Sequence, residues 1–141
     1  MIVDASALLA VLYDEEDARN YVDALLSASA CRMSVVNYLE AAINIDRFGD
    51  IEASRQLDSF VRRAEIELIE VTVEQVQIAR QAYIDFGKGR HRAGLNVGDV
   101  FAYALARVTG EPLLFKGNDF IHTDIIGWVA PKVDQDPPEE S

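Results

Sequence analysis

Cysteine, histidine and basic residues are all scarce in this chain of 141 residues. Cys31 is the only cysteine, so neither an intrachain disulfide nor a cysteine-rich metal cluster can form. His91 and His122 are too few to build a histidine-centred site. Thirteen lysines and arginines stand against 24 acids, which gives a formal net charge of −11. This balance argues against a broad electrostatic nucleic-acid binder, but it is compatible with one local basic patch beside an acidic, cation-binding centre.

Long apolar runs and phosphate-binding glycine loops are missing as well. No stretch approaches the roughly 20 apolar residues of a membrane-spanning helix, and residues 1–4 lack the basic start of a signal peptide. We therefore expect a cytoplasmic protein with no membrane segment. No glycine-rich loop of the Walker or dinucleotide type occurs. The length suits one domain, which we place at residues 1–131, followed by an acidic, disordered tail at 132–141.

Short apolar strands alternate with amphipathic helices along the chain. Strands are predicted at 1–3, 31–33, 66–71, 112–115 and 126–129. Helices are predicted at 7–13, 15–27, 35–48, 50–65, 73–86 and 97–108. The predicted buried stripe of the third helix is Val35, Val36, Leu39, Ala42 and Ile43. This alternation predicts an α/β fold, a central parallel sheet of four or five short strands with helices on both faces.

Four acidic residues draw attention because of where they lie: Asp4, Glu40, Asp99 and Asp119. Each has an ordinary explanation by itself, since an Asp at a strand end is often a turn residue and an Asp in a first helical turn favours the helix dipole. Glu40 shares a helix stripe with Asn37 and Asn44, which suits a polar pocket, although an exposed Glu would also fit.

A parallel sheet can bring such residues to one edge, beyond the carboxyl ends of its strands. Clustered carboxylates repel one another, so the natural occupant of the cluster is a divalent cation. Ligation by oxygen alone suits Mg²⁺ or Mn²⁺ rather than Zn²⁺. Such an ion activates a water and stabilises the leaving oxygen in phosphodiester hydrolysis. A phosphatase with an aspartyl nucleophile would usually want a second Asp where Ser6 stands.

The one basic loop, residues 87–94, carries Lys88, Arg90 and Arg92. A flexible surface loop and a grip on substrate phosphates explain it about equally well. A grip on phosphates would favour a polymeric substrate. Further candidates for substrate contact are Ser6 and Lys116.

Four segments of the sequence together resemble a known protein family. They read Met-Ile-Val-Asp-Ala-Ser-Ala-Leu-Leu-Ala at 1–10, Ser-Val-Val-Asn-Tyr-Leu-Glu-Ala at 34–41, Leu-Asn-Val-Gly-Asp-Val-Phe-Ala-Tyr-Ala-Leu-Ala at 95–106 and Leu-Leu-Phe-Lys-Gly-Asn-Asp-Phe at 113–120. In this order and spacing they resemble the PIN-domain ribonuclease toxins called VapC. Each motif is modest alone, but the four together are fairly specific, and the match runs to about residue 131.

The resemblance implies a PIN-like three-layer fold and a Mg²⁺- or Mn²⁺-dependent endoribonuclease. It also implies the toxin half of a type II toxin–antitoxin pair, dimeric and inhibited by a VapB-type antitoxin. By position, Asp4, Glu40 and Asp99 match the family's three main acids, and Ser6 matches the small polar residue that accompanies the first. Many relatives carry a fourth acid where Gly117 stands here, so either Asp119 takes that role or three acids suffice.

Two alternatives from other classes stay open. One is a PIN-fold module that binds RNA or protein without cutting, and the presence of all three main acids weighs against it. The other is a metal-dependent hydrolase of small phosphate esters, and the basic loop weakly favours a polymeric substrate over it.

Overall fold

The four strands form one parallel sheet in the order β3-β2-β1-β4, in a computed structural model that describes residues 1–128. They are β1 (Ile2–Val3), β2 (Cys31–Ser34), β3 (Ile66–Ile69) and β4 (Leu113–Leu114). The predicted tail at 132–141 lies outside the described residues, as does the last residue of the predicted fifth strand. Within them, that fifth strand is reduced to a single bridge between Gly127 and Leu113.

Six helices cover the sheet: α1 (Ala5–Leu12), α2 (Ala18–Ser27), α3 (Val35–Asp46), α4 (Ile51–Arg63), α5 (Val73–Phe86) and α6 (Val97–Thr109). Alternate strand residues point to opposite faces. Val3 and Leu114 pack into a core with α1 to α4, whereas Ile2 and Leu113 pack into a second core with α5 and α6. The predicted three-layer α/β architecture is therefore confirmed.

Local hydrogen bonds explain where the helices begin. The side chains that accept a backbone N–H at helix starts are Asp4, Ser34, Asp50, Thr72 and Asn96. Asp4, and not Ser6, caps the first helix, so α1 starts two residues earlier than predicted. At the start of α5 the Gln75 backbone N–H donates to the Thr72 hydroxyl, while the Gln75 side chain donates to the Glu70 carbonyl.

The predicted buried stripe of α3 is wrong at three of its five positions, because Val35, Leu39 and Ile43 are exposed. Ala42 is buried as predicted. Small, polar and large apolar side chains share the inward face, whose buried residues are Asn37, Ala41, Ala42 and Ile45. An exposed apolar stripe is left on the outside of the helix.

The second helix begins three residues later than its predicted start at residue 15. Asp14 adopts a positive φ of 50°, and α2 begins only at Ala18. Glu15 and Asp17 are instead held by Lys116, which lies just after β4. Within residues 1–128, no helix is long and apolar enough to cross a membrane.

Candidate metal-binding and catalytic site

Asp4 stands at the carboxyl end of β1, and its two carboxylate oxygens have different surroundings. Its backbone N–H donates to the Leu114 carbonyl at 2.9 Å, which fixes it beside the end of β4. Oδ2 accepts from the Ser6 backbone N–H at 3.1 Å and from the Ser6 hydroxyl at 2.5 Å. Oδ1 is buried and has no hydrogen-bond partner among residues 1–128. A buried, unpartnered carboxylate oxygen is costly unless a cation or a proton occupies it.

Ser6 holds the Asp4 carboxylate in this orientation. The Lys116 backbone N–H donates to Ser6 Oγ at 2.9 Å, so the hydroxyl proton of Ser6 is directed to Asp4 Oδ2. The ammonium of Lys116 is paired with Glu15 and lies 2.9 Å from the Asp17 carboxylate. The structure thus places both predicted substrate contacts, Ser6 and Lys116, beside Asp4, with Lys116 already engaged by acids that sequence reasoning left in solvent.

Asp99 lies in the first turn of α6 and is 9% exposed. Its Oδ2 accepts the Asn96 backbone N–H at 3.0 Å, and the Asn96 side chain accepts the Asp99 N–H at 2.9 Å. This reciprocal capping box fixes the carboxylate at the mouth of a buried helix. The predicted location of Asp99 in the first turn of a helix is confirmed.

Glu40 reaches the same place from α3. A Cβ built on Gly98 would stand 1.9 Å from Glu40 Oε2, so the Glu40 carboxylate lies against the start of α6. The buried Asn37 amide, one turn earlier on α3, donates to the Gly98 carbonyl at 2.9 Å. The sequence left Glu40 open between a polar pocket and an exposed position, and the structure shows it half-buried. The sequence analysis gave Gly98 no role. A glycine beside a candidate ligand, inside a helix that has no other glycine, was the available signal.

The acids raise one another's pKa values. Burial raises the pKa of Asp4 to about 6, and the Glu40 charge adds to that shift. Burial likewise raises the pKa of Asp99 to about 6, with further contributions from the charges of Asp4 and Asp119. The pKa of Glu40 is raised by burial and by the Asp99 charge, and the Asn37 amide opposes the shift. Asp4, Glu40 and Asp99 therefore lie close enough for each to be affected by the charge of another acid.

Asp119 is the outermost of the four. It is exposed, precedes the short 3₁₀ turn Phe120–His122, and makes no capping hydrogen bond there. Gly117 adopts a φ of +103°, which side chains other than glycine rarely adopt. An acid at position 117 would therefore be strained in this backbone.

Carboxylate oxygens with no basic partner suit a hard divalent cation. The unpartnered Asp4 Oδ1 is the observation that fits such an ion best. Within residues 1–128, however, no three His, Cys, Asp or Glu side chains are already close enough together to hold one. The acids therefore form an open cluster.

The basic loop leads directly into this cluster. Gly87 bridges to Leu95, and Ala93 is buried, so the loop is a closed turn and not a loose surface segment. The side chains of Lys88, Arg90 and Arg92 are exposed and form no ion pair among residues 1–128. The structure brings the loop's end to Asp99 along the chain but does not bring its basic side chains into contact with the acids.

Comparison with known proteins gives the family. A model of the PIN domain matches residues 1–126. Ribonuclease VapC30 of Mycobacterium tuberculosis is 50% identical over 132 residues, which cover 93% of this chain and 100% of that protein. Ribonuclease VapC28 of the same species is 51% identical over 126 residues, covering 89% of this chain and 95% of the relative.

This chain belongs to the PIN-domain family, within its VapC group.

Solved structures agree on the fold. VapC20 of Mycobacterium tuberculosis, described as a toxin that cleaves the sarcin-ricin loop, superposes with a TM-score of 0.71 at 14% identity and covers 89% of this PIN domain and 95% of its own chain. A chain from a toxin–antitoxin complex of Klebsiella pneumoniae gives a TM-score of 0.66 at 11% identity, covering 87% and 92%. At these identities the likeness concerns the fold alone.

Proposed function

We propose that this VapC-group protein is a divalent-metal-dependent endoribonuclease and the toxin component of a type II toxin–antitoxin system. The observation that carries the proposal is the convergence of Asp4, Glu40 and Asp99, with Asp4 Oδ1 buried and unpartnered. The ribonuclease names of relatives that are about 50% identical support the reaction class. Mg²⁺ or Mn²⁺ is the cation that fits this oxygen-only set.

The chain's own residues prepare the site. Ser6 keeps its proton on the side of Asp4 Oδ2, which leaves Oδ1 as the binding atom. The capping box holds Asp99 while Glu40 is held against Gly98, so the two carboxylates approach the site from different helices. When bound, the cation would supply charge neutralisation and a more acidic attacking water.

RNA is the proposed substrate, and the basic loop is its proposed contact. Lys88, Arg90 and Arg92 are exposed and lie in the loop that leads into α6. They can therefore contact backbone phosphates of an RNA on either side of the bond that is cut. The Lys116 ammonium would join them only after leaving Glu15 and Asp17. A strongly acidic protein needs such a local patch, since its net charge repels nucleic acid.

The direct test is cleavage of total RNA by purified, antitoxin-free protein with and without Mg²⁺. We expect cleavage that needs the ion and that falls by orders of magnitude in Asp99→Asn. RNA binding without cleavage by the wild-type protein in Mg²⁺ would favour the non-cutting module. Hydrolysis of small phosphate esters with intact RNA would favour the phosphoesterase.

A VapB-type antitoxin is the proposed partner, and a toxin–antitoxin complex among the structural neighbours supports it. We propose that an Arg or Lys of the antitoxin enters the acidic centre, because a guanidinium can pair bidentately with carboxylates. An apolar groove of about 220 Å³ between α2 and α4, lined by Leu26 and Phe60 among others, offers the remaining contact.

A homodimer and a cytoplasmic location complete the proposal. The exposed apolar stripe of α3, formed by Val35, Leu39 and Ile43, is the surface we assign to the second copy. Single exposed apolar residues are common on protein surfaces, whereas three on one helical face indicate a contact surface.

A further inference from the structure

Gly98 has no conformational reason to be glycine. It is the second residue of α6 and the only glycine within the six helices of residues 1–128. Its φ lies outside the left-handed region, in contrast to those of Gly94 and Gly110 at the two ends of the helix. Glycine is a poor helix former, so alanine at this position would ordinarily stabilise the helix.

The space above Gly98 is taken by Glu40. A Cβ at this position would lie 1.9 Å from Oε2, 2.6 Å from Cδ and 2.8 Å from Oε1 of Glu40. Contacts this short do not occur in folded proteins, so any side chain at residue 98 must push the Glu40 carboxylate away. The neighbour of Gly98 is Asp99, and displacement of Glu40 therefore changes the separation of two acids.

Asn37 on α3 also contacts Gly98. Its amide is fully buried and donates to the Gly98 carbonyl at 2.9 Å, which ties α3 to the start of α6. Asn37 and Glu40 are three residues apart and thus share one face of α3. One face of α3 therefore binds the Gly98 carbonyl through Asn37 and places the Glu40 carboxylate against the Gly98 Cα.

We propose that Gly98 and Asn37 are positioning residues that set the distance between Glu40 and Asp99. Gly98 is kept for the space that its missing side chain leaves, and Asn37 keeps α3 in register with that space. The proposal rests on the proposed function in one respect, that Glu40 and Asp99 bind the cation. The spacing itself is a property of the folded chain and is testable without metal.

A double-mutant cycle on thermal unfolding tests the spacing in the absence of metal. In a Glu40→Ala background nothing fills the space, so Gly98→Ala should raise the melting temperature by about 2–4 °C, as expected for a better helix former in a domain of this size. In the wild-type background the same change should give a smaller rise or a fall. Equal shifts in the two backgrounds would overturn the proposal, because Gly98 and Glu40 would then not interact.

Calorimetric titration with Mn²⁺, without RNA, tests the consequence for the ion. Gly98→Ala should weaken Mn²⁺ binding at least about tenfold, an amount equivalent to about 1.4 kcal/mol. The neighbouring Val97→Ala, at an exposed position, should bind as the wild type does. Asn37→Ala, which removes the amide donor and with it the hydrogen bond to the Gly98 carbonyl, should also weaken binding.

The two experiments separate the two failures. If the wild-type protein binds no Mn²⁺, the proposed function fails, while the unfolding cycle still decides the spacing. If Mn²⁺ binds equally well to wild type and Gly98→Ala, the proposed role of Gly98 is wrong and the proposed function stands.

Discussion

The two carboxylate oxygens of Asp4 have different roles, one in the fold and one in the candidate site. Oδ2 caps α1 and accepts the Ser6 hydroxyl, whereas Oδ1 is buried without a partner among residues 1–128. Asp99 repeats the pattern, since its Oδ2 closes the capping box of α6. The hydrogen bonds of these helix caps lower the pKa values of both acids and so oppose the effect of burial.

Asp99→Asn should separate stability from activity. The amide can still accept the Asn96 N–H, but the charge that repels Asp4 and Asp119 is gone, so the melting temperature of the metal-free protein should rise. RNA cleavage should fall by at least about a hundredfold, because a ligand of the cation is lost. Differential scanning fluorimetry measures the melting temperature, and a gel assay with labelled RNA measures cleavage. The control is Asp23→Asn at an exposed position of α2, which should change neither.

Asp119→Ala should cost less Mn²⁺ affinity than Asp4→Ala. Asp119 is exposed and follows a glycine whose φ is +103°, whereas Asp4 is only 3% exposed at a strand end. A ligand in solvent keeps more of its hydration and contributes less to an ion's binding. Titration calorimetry on the two variants gives the order, and equal losses would make Asp119 a full ligand.

At the scale of elements, helix-capping residues predicted the structure better than the pattern of apolar residues did. The caps at Ser34, Thr72 and Asn96 were predictable because Ser, Thr and Asn side chains satisfy the first N–H groups of a helix. The buried face of α3 was predictable only in part, because Asn37 and Ala41 lie on it while three of the larger apolar residues lie outside. No local rule shows that a polar side chain has its hydrogen-bond partner on another helix.

The basic loop is an element whose role can be measured by salt. Replacement of Lys88, Arg90 and Arg92 by Ala should weaken RNA binding and make the slope of log affinity against log salt shallower, by roughly 0.7 per lost phosphate contact. Mn²⁺ affinity should hardly change, since these side chains lie outside the acidic cluster. Matched removal of positive charge by Arg55→Ala, Arg62→Ala and Arg63→Ala on α4 serves as the control. An unchanged slope in the loop variant would make the loop a purely structural turn.

For the whole molecule, the alternation of strands and helices was enough to predict the layers and the edge at which the acids meet. It could not give the exposed stripe of α3, the pairing of Lys116 with Glu15 and Asp17, or the close approach of Glu40 to Gly98. These depend on how elements far apart in sequence pack, and the fit of a side chain against a backbone has no signature in a single segment.

Stability should also depend on pH through the buried acids. The pKa values of Asp4 and Asp99 are raised to about 6 from 3.8, so the folded chain holds protons that the unfolded chain has released. Their contribution to stability is therefore largest below about pH 4 and is lost as pH rises through about 6. Relative to wild type, Asp4→Asn should gain on the order of 2–3 kcal/mol of unfolding free energy between pH 4 and 8.

Urea unfolding of both proteins across that range measures this difference. Groups with lowered pKa values, such as Asp17 and Glu111, have the opposite dependence but cancel because both proteins contain them. A difference that does not change with pH would mean that Asp4 titrates normally. Saturating Mn²⁺ should stabilise the wild type most at the high-pH end, where the carboxylates are ionised.

The central claim is that Asp4, Glu40 and Asp99 form one divalent-cation site, and it is tested most directly by titration calorimetry with Mn²⁺ on antitoxin-free protein without RNA. We predict saturable binding to the wild type at pH 7.5 or so, above the raised pKa values, and loss of that binding in Asp4→Asn and Asp99→Asn alike. Mn²⁺ binding of equal strength in wild type and both variants would contradict the account.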